Sequence, residues 1–260
     1  MAIWQTEKDI KALQTHVHAC SLYTDDEQQR SQFVPYIQSG LLLGEQCIYF
    51  LDHSTPEYVL DSLQANGFNA LPYIESHAFS IVKVSDITSA VGSFSASKLL
   101  TYWSTLLANC EREGFAGFRA TGEMTWALHP EFNFKALTAY ESQLNKFALD
   151  HNVSFLCQYY RKDFPANKLK DVISIHPVII DSDKVLENPT HIRDHDFAAD
   201  SAEAHLQAAL DTLSMAKVLR ETNEELMSSI AEQKRLQKEL QRLDKERQDR
   251  ESVEAERRQY

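Results

Sequence analysis

The stretch His16-Val17-His18-Ala19-Cys20-Ser21-Leu22-Tyr23, running directly into Thr24-Asp25-Asp26-Glu27, decides how this chain is read. Its first eight residues are rich in apolar and β-prone side chains, as a buried strand is. The next four offer a helix cap and acidic first-turn residues that suit the positive end of a helix dipole. A helix through about Leu43 then carries Phe33, Ile37, Leu41 and Leu42 on one face, and Gly44 stops it.

That strand-then-helix unit repeats downstream. Cys47-Ile48-Tyr49-Phe50-Leu51-Asp52 is nearly all apolar, which is the composition of a strand covered on both faces. Ser54-Thr55-Pro56-Glu57 opens a helix with a cap and an N1 proline, and Asn66-Gly67 closes it. A third strand is expected over Phe79 to Val84, and a helix from Ser97 to Arg112 carrying Leu99, Leu100, Trp103, Leu106, Leu107 and Cys110. A fourth strand, Gly117 to Met124, a helix from about Asn133 to Asp150, a strand from Val153 to Tyr160, a helix near Ala166 to Ser174 and a strand from Pro177 to Ile180 complete the series. Repeated βα units predict an α/β fold with a mainly parallel central sheet and helices on both faces. The domain is placed at residues 14–195, behind a lead-in over 1–13.

From about Ala198 the character changes, because Gly and Pro vanish and one helical pattern runs over residues 198–260. Leu206, Leu210, Leu213, Leu219, Leu226, Ile230, Leu236, Leu240 and Leu243 form a narrow apolar stripe whose heptad phase slips midway. A lone helix with so thin a stripe is marginal in water, so a homodimeric coiled coil through residues 206–243 is expected rather than a solvated single helix.

The 260 residues are 43% hydrophobic, enough for a core, and no apolar run approaches the length of a membrane span. Met1 to Lys8 lacks the basic and apolar segments of a signal peptide, which points to a cytoplasmic location. The four cysteines form no C-x-x-C pair, and three lie in apolar runs where cysteine acts as a small buried hydrophobe. The formal charge is −12, with 25 acidic against 15 basic side chains in residues 1–200. Such a body repels a nucleic-acid backbone, so no nucleic-acid partner is expected.

Two places carry chemistry. His16, His18 and Cys20 share one face of the first strand, at about 6.5 Å per step. They are either partly buried, hydrogen-bonded side chains or, less consistently with that wide spacing, metal or haem ligands. Arg119 and Glu123 lie four apart on the fourth strand with Thr121 between them, and form either a structural ion pair or the floor of a polar pocket. Trp126 follows at the C-terminal end of that strand, the edge where ligands of open α/β sheets bind. Arg161 and Lys162 fall at the same edge, as ligand cations or solvated loop residues. No phosphate loop, dinucleotide fingerprint, nucleophile elbow or zinc-protease motif is present, and the acidic turn after the first strand would repel a phosphate. No catalytic residues, metal or cofactor are therefore expected, and the chain is not expected to be an enzyme.

Four segments together carry a family resemblance: His18-Ala19-Cys20-Ser21-Leu22-Tyr23; Gly40 with Gly44-Glu45-Gln46-Cys47-Ile48-Tyr49; Gly122-Glu123-Met124-Thr125-Trp126-Ala127-Leu128; and Cys157-Gln158-Tyr159. In this order, over roughly residues 14–182, the chain resembles the MEDS sensory domain, named for methanogens, methylotrophs and the regulator DcmR. The resemblance implies an input domain of prokaryotic signalling proteins that senses small hydrocarbon derivatives, often fused to histidine kinase or DNA-binding outputs. It also implies a RecA/KaiC-like fold that has lost the phosphate loop. No kinase dimerisation box, ATP-binding module or helix-turn-helix is recognisable here, so the output is expected in a longer chain or in a partner such as a histidine kinase or regulator. The ligand is expected against His18, Cys20, Tyr23, Arg119, Glu123 and Trp126, with a signal relayed through the coiled coil. The alternatives are a structural adaptor that docks a partner and a degenerate KaiC-like nucleotide-binding protein.

Overall fold

The computed structural model describes residues 10, 11, 13, 16–91, 95–130, 132–182, 184–189, 191 and 202–257. Residues 1–9 of the lead-in and the composition break near Ala198 lie outside them. The chain divides into two compact units, Met1–Ala208 and Ala209–Tyr260.

Strand β1 (Val17–Tyr23) leads into helix α1 (Asp26–Leu42), and the Asp25 side chain accepts the Gln28 amide hydrogen as its cap. Helix α1 buries Phe33, Ile37 and Leu41 against the sheet, whereas Leu42 is exposed. Gly44 follows with φ 79°, a left-handed conformation that glycine adopts without a Cβ penalty. Next come β2 (Gln46–Leu51), α2 (Pro56–Ala65), a short α3 (Leu71–Glu75) and β3 (Phe79–Lys83). Val84, expected as the last residue of the third strand, instead begins α4 (Val84–Val91).

Helix α5 (Ala96–Glu113) ends at the left-handed Gly114, and β4 (Phe118–Glu123) runs into a 3-10 turn at Thr125–Leu128. The rest of the domain is α6 (Phe134–Asp150), β5 (Val153–Tyr160), α7 (Ala166–Ile175), β6 (Val178–Asp181) and β7 (Lys184–Glu187). Strand β7 has no counterpart in the sequence pattern, because a four-residue strand with one half-buried position carries little apolar signal. Ser182, at φ 56°, sits in its turn.

The seven strands form one sheet in the order β3-β2-β4-β5-β1-β6-β7. Every pairing is parallel except the β6–β7 hairpin, which bears out the α/β expectation. One core lies under α1 and α2, around Phe33, Tyr49, Val59 and Leu63. The other lies under α5, α6 and α7, around Trp103, Leu144, Phe155 and Val172. Successive β4 residues serve the two layers in turn: Phe118 and Ala120 join the second core, while Arg119, Thr121 and Glu123 bond to groups on the α1 side.

Helix α8 spans Ala202–Arg257 without interruption. Its apolar stripe is open to solvent: Leu210, Leu213, Leu219, Leu226, Leu236, Leu240 and Leu243 are all about half exposed or more. No helix among the described residues is long and apolar enough to cross a membrane.

Candidate functional site

Two polar assemblies occupy opposite faces of the sheet, and they divide the expected site residues between them. On the α1 face, Glu123 sits at the C-terminal end of β4. Its Oε2 accepts backbone N–H groups from Asp52, His53 and Ser54 at 2.9, 2.6 and 3.0 Å, and Tyr49 donates its hydroxyl to Oε1 at 3.3 Å. The turn after β2 thus forms a small anion cradle already filled by a carboxylate of the same chain. Beside it, Gln158 accepts from Gln29 at 2.9 Å and donates to Thr121 at 2.8 Å. Tyr23 is buried on this side; burial, and then the neighbouring Glu123 carboxylate, push its hydroxyl above the usual tyrosine range.

Arg119 shares the Glu123 face but not its neighbourhood. Four residues along a strand span about 13 Å, and Arg119 is 1% exposed in an ion pair with Glu45 at the start of β2. Its Nη1 donates to the Tyr36 carbonyl at 3.1 Å, and the guanidinium lies 5.0 Å from the Tyr36 ring centroid. Gly40 makes room for it, since a Cβ there would come within 2.6 Å of Arg119 Cδ. The geometry is that of the structural alternative, with Glu45 in the partner position that Glu123 was a candidate for.

The other face holds a cavity of about 90 Å³. Phe50, Ala120 and Phe155 of the sheet line it together with Leu99 and Trp103 of α5 and Leu144 of α6. Trp126, in the 3-10 turn, also borders it and packs edge-on against Phe132. Trp103 donates its indole N–H to the Tyr140 hydroxyl at 2.5 Å, so the large aromatic rings of this wall are fixed in orientation.

Glu141 and Cys157 belong to the same lining, and they join a buried cluster with His18 and His176. Glu141 is the acid that α6 carries within its apolar stripe Leu137, Tyr140, Leu144, Phe147. Its Oε2 lies 2.9 Å from His18 Nε2 and 3.3 Å from His176 Nε2. Cys157 Sγ lies 3.3 Å from His18 Nε2 and 3.5 Å from Glu141 Oε2. Burial pushes the Glu141 carboxyl up, but the two imidazoles facing it outweigh that and hold it down at about 2. Burial, then the Glu141 charge, raises the Cys157 thiol. For His176, burial followed by the nearby His18 lowers the imidazole below its ordinary value.

Of the six expected ligand residues, Glu123 and Trp126 border the cavity, and His18 reaches it through the cluster. Cys20 is fully buried in the apolar core on the same side, while Tyr23 and Arg119 lie across the sheet. His16 lies outside β1 with φ 69° and hydrogen-bonds the Ala148 carbonyl, so the trio His16, His18 and Cys20 does not converge as a ligand set. Arg161 pairs with Asp181 at 3.1 Å at the surface, and Lys162 lies 5.7 Å from the Tyr160 ring. Glu141, Cys157 and His176 were missed, although an ionisable residue inside a helix's apolar stripe was the available sign for Glu141.

Comparison with known proteins places the chain. Two solved structures of similar architecture are a KaiC-like protein from Pyrococcus horikoshii OT3 and a flagellar accessory protein from Methanocaldococcus jannaschii. The first is 15% identical, with a TM-score of 0.45, over 64% of this chain and 71% of the other. The second is 10% identical, with a TM-score of 0.44, over 67% and 75%. No curated protein matches the chain in sequence. The family model of the MEthanogen/methylotroph, DcmR Sensory domain matches residues 17–177, from β1 to the start of β6, and so takes in the cavity and the cluster beside it. The chain belongs to the MEDS family of sensory domains.

Proposed function

We propose that this protein is a cytoplasmic sensory input module, not an enzyme, that binds a small apolar organic molecule in the cavity under α5 and α6. The observation that carries the reading is the cavity itself. An aromatic and aliphatic lining around about 90 Å³ of partly open space leaves apolar surface that a small guest would cover. One water needs roughly 10–15 Å³ of such volume, so the space suits a solute of a few heavy atoms, the size class of a small hydrocarbon derivative. The few polar groups in the lining would orient a ligand with one polar end.

The output we assign to α8. Its exposed leucine stripe fits a second copy of the same helix, and a heptad slip lets a pair of such helices hold two packings of similar energy. A bound ligand that favours one packing by a few kcal/mol would shift that population, to be read by a histidine kinase or regulator in the same chain or in a partner. The nucleotide alternative is disfavoured, because Asp25 caps the helix where a phosphate would sit and Glu123 fills the cradle after β2.

The test is thermal unfolding of the full chain with a panel of one- to six-carbon solutes, alongside spin-label distances across paired α8 helices. A ligand at a hundred times its Kd stabilises the folded state by about 2.7 kcal/mol. A panel in which no solute raises the midpoint or changes the helix pairing overturns the proposal.

A further inference from the structure

We infer that His18, Glu141, Cys157 and His176 form a binding site for one divalent cation of the zinc class. This goes beyond the ligand proposal and stands apart from it. The four donors come from β1, α6, β5 and the residue that joins α7 to β6, and one ligand atom from each lies within 4.8 Å of every other. All four residues are buried.

The hydrogen bonds behind the cluster set its chemistry. His176 Nδ1 faces the Val172 carbonyl at 2.8 Å, an acceptor only, so that nitrogen carries the hydrogen. Asn145 donates its amide nitrogen to the Ile175 carbonyl at 2.8 Å, which turns its Oδ1 toward His18 Nδ1, also at 2.8 Å. His18 therefore carries its hydrogen on Nδ1 as well. In the neutral ring the remaining nitrogen is a bare lone pair. With both rings neutral, the one hydrogen among the four facing atoms is that of the Cys157 thiol, which lies 3.5 Å from Glu141 Oε2, and the two Nε2 lone pairs face the carboxylate. His176 Nε2, fully buried, has no well-formed hydrogen bond, its nearest acceptor being Glu141 Oε2 at 3.3 Å.

A single proton on His18 Nε2 gives a charge-balanced pair with Glu141, yet leaves the Nε2 of His176 a buried lone pair 3.3 Å from the same oxygen. Protons on both Nε2 atoms would leave two imidazoliums against one carboxylate, an unbalanced positive charge in a site closed to water, which is costly. A divalent cation leaves no imbalance, since the Glu141 carboxylate and a Cys157 thiolate neutralise it and the two imidazoles stay uncharged. The spacing is that of a site able to close on a cation. Bonds of about 2.0–2.3 Å at tetrahedral angles place donor atoms roughly 3.3–3.8 Å apart. Four of the six separations are 2.9, 3.3, 3.3 and 3.5 Å, within or just inside that range, and all six lie within 4.8 Å. Two imidazoles, a thiolate and a carboxylate in tetrahedral disposition favour zinc over the harder cations. Asn145 and the Val172 carbonyl supply the outer contacts that orient such ligands. Because Glu141 and Cys157 also line the cavity, the ion would form part of the wall that a ligand meets.

The experiment uses the full chain without a polyhistidine tag, produced in minimal medium supplemented with zinc or with cobalt. One equivalent of metal per chain is expected. The cobalt form should show the intense visible bands of a tetrahedral centre and a near-ultraviolet thiolate charge-transfer band. Cys157→Ser should abolish the charge-transfer band, Cys20→Ser should keep it, and Asn145→Ala should weaken affinity about 10–100-fold. Folded wild-type protein without stoichiometric metal overturns the inference whatever the variants do, and so does a charge-transfer band that survives in Cys157→Ser. Neither result bears on whether the cavity takes an apolar solute.

Discussion

Replacing Ala120 by leucine separates a real cavity from a well-filled core, because the two cases differ in the sign of the effect. Ala120 is 3% exposed, sits in the middle of β4, and projects into the layer of Trp103, Leu144 and Phe155. A cavity costs a fold about 24 cal/mol per Å³. A closed void of the volume found here, about 90 Å³, would store a deficit of about 2 kcal/mol, and a pocket partly open to solvent stores less. Three added carbons fill part of that space, so Ala120→Leu should stabilise the protein by about 1 kcal/mol. In a domain of this size that raises Tm by about 2–4 °C. Were the region already packed, the same substitution would overpack it and cost about 1–3 kcal/mol. Scanning calorimetry of the two proteins decides the matter. The filled variant should also lose the stabilisation that any bound solute gives the wild type. A lowered Tm, or a ligand response that survives the substitution, would refute the reasoning.

Arg119→Ala should destabilise by about 3–5 kcal/mol in urea unfolding, because Glu45 is left as an uncompensated buried charge; Arg119→Met with Glu45→Gln should recover a large part of that loss. Asp25→Ala removes the side chain that caps α1 and should cost about 0.5–2 kcal/mol by the same measurement, with no effect on solute binding. Leu226→Glu with Ile230→Glu places charges in the α8 stripe and should convert a dimer to a monomer in sedimentation, while leaving the Tm of the α/β domain in place.

The sheet was legible because its strands are buried on both faces. The run Cys47 to Leu51 has no polar side to confuse with a helix, Val153 to Tyr160 breaks its apolar pattern only at Ser154 and Gln158, and Asp25, Thr55 and Asn133 cap their helices as their positions imply. The short elements were not legible. Five residues of α3 and four of β7 are held by packing on neighbours, with no periodicity of their own.

The site was half legible. The alternation rule puts Arg119 and Glu123 on one face, yet the length of the strand between them sends Arg119 to Glu45 and Glu123 to the turn after β2. The cluster of His18, Glu141, Cys157 and His176 draws on positions up to 158 residues apart, so only the folded sheet brings it together. Its one local sign was a glutamate among leucines and aromatics on α6, where a buried acid needs a partner.

The account rests on the cavity beneath α5 and α6 being open to a small apolar guest. A crystal of the full chain pressurised with xenon tests it most directly. A single well-occupied xenon site is predicted between Ala120, Trp103, Leu144 and Phe155, absent from crystals of Ala120→Leu. Electron density that shows those side chains closed on one another, with no xenon among them, would contradict it.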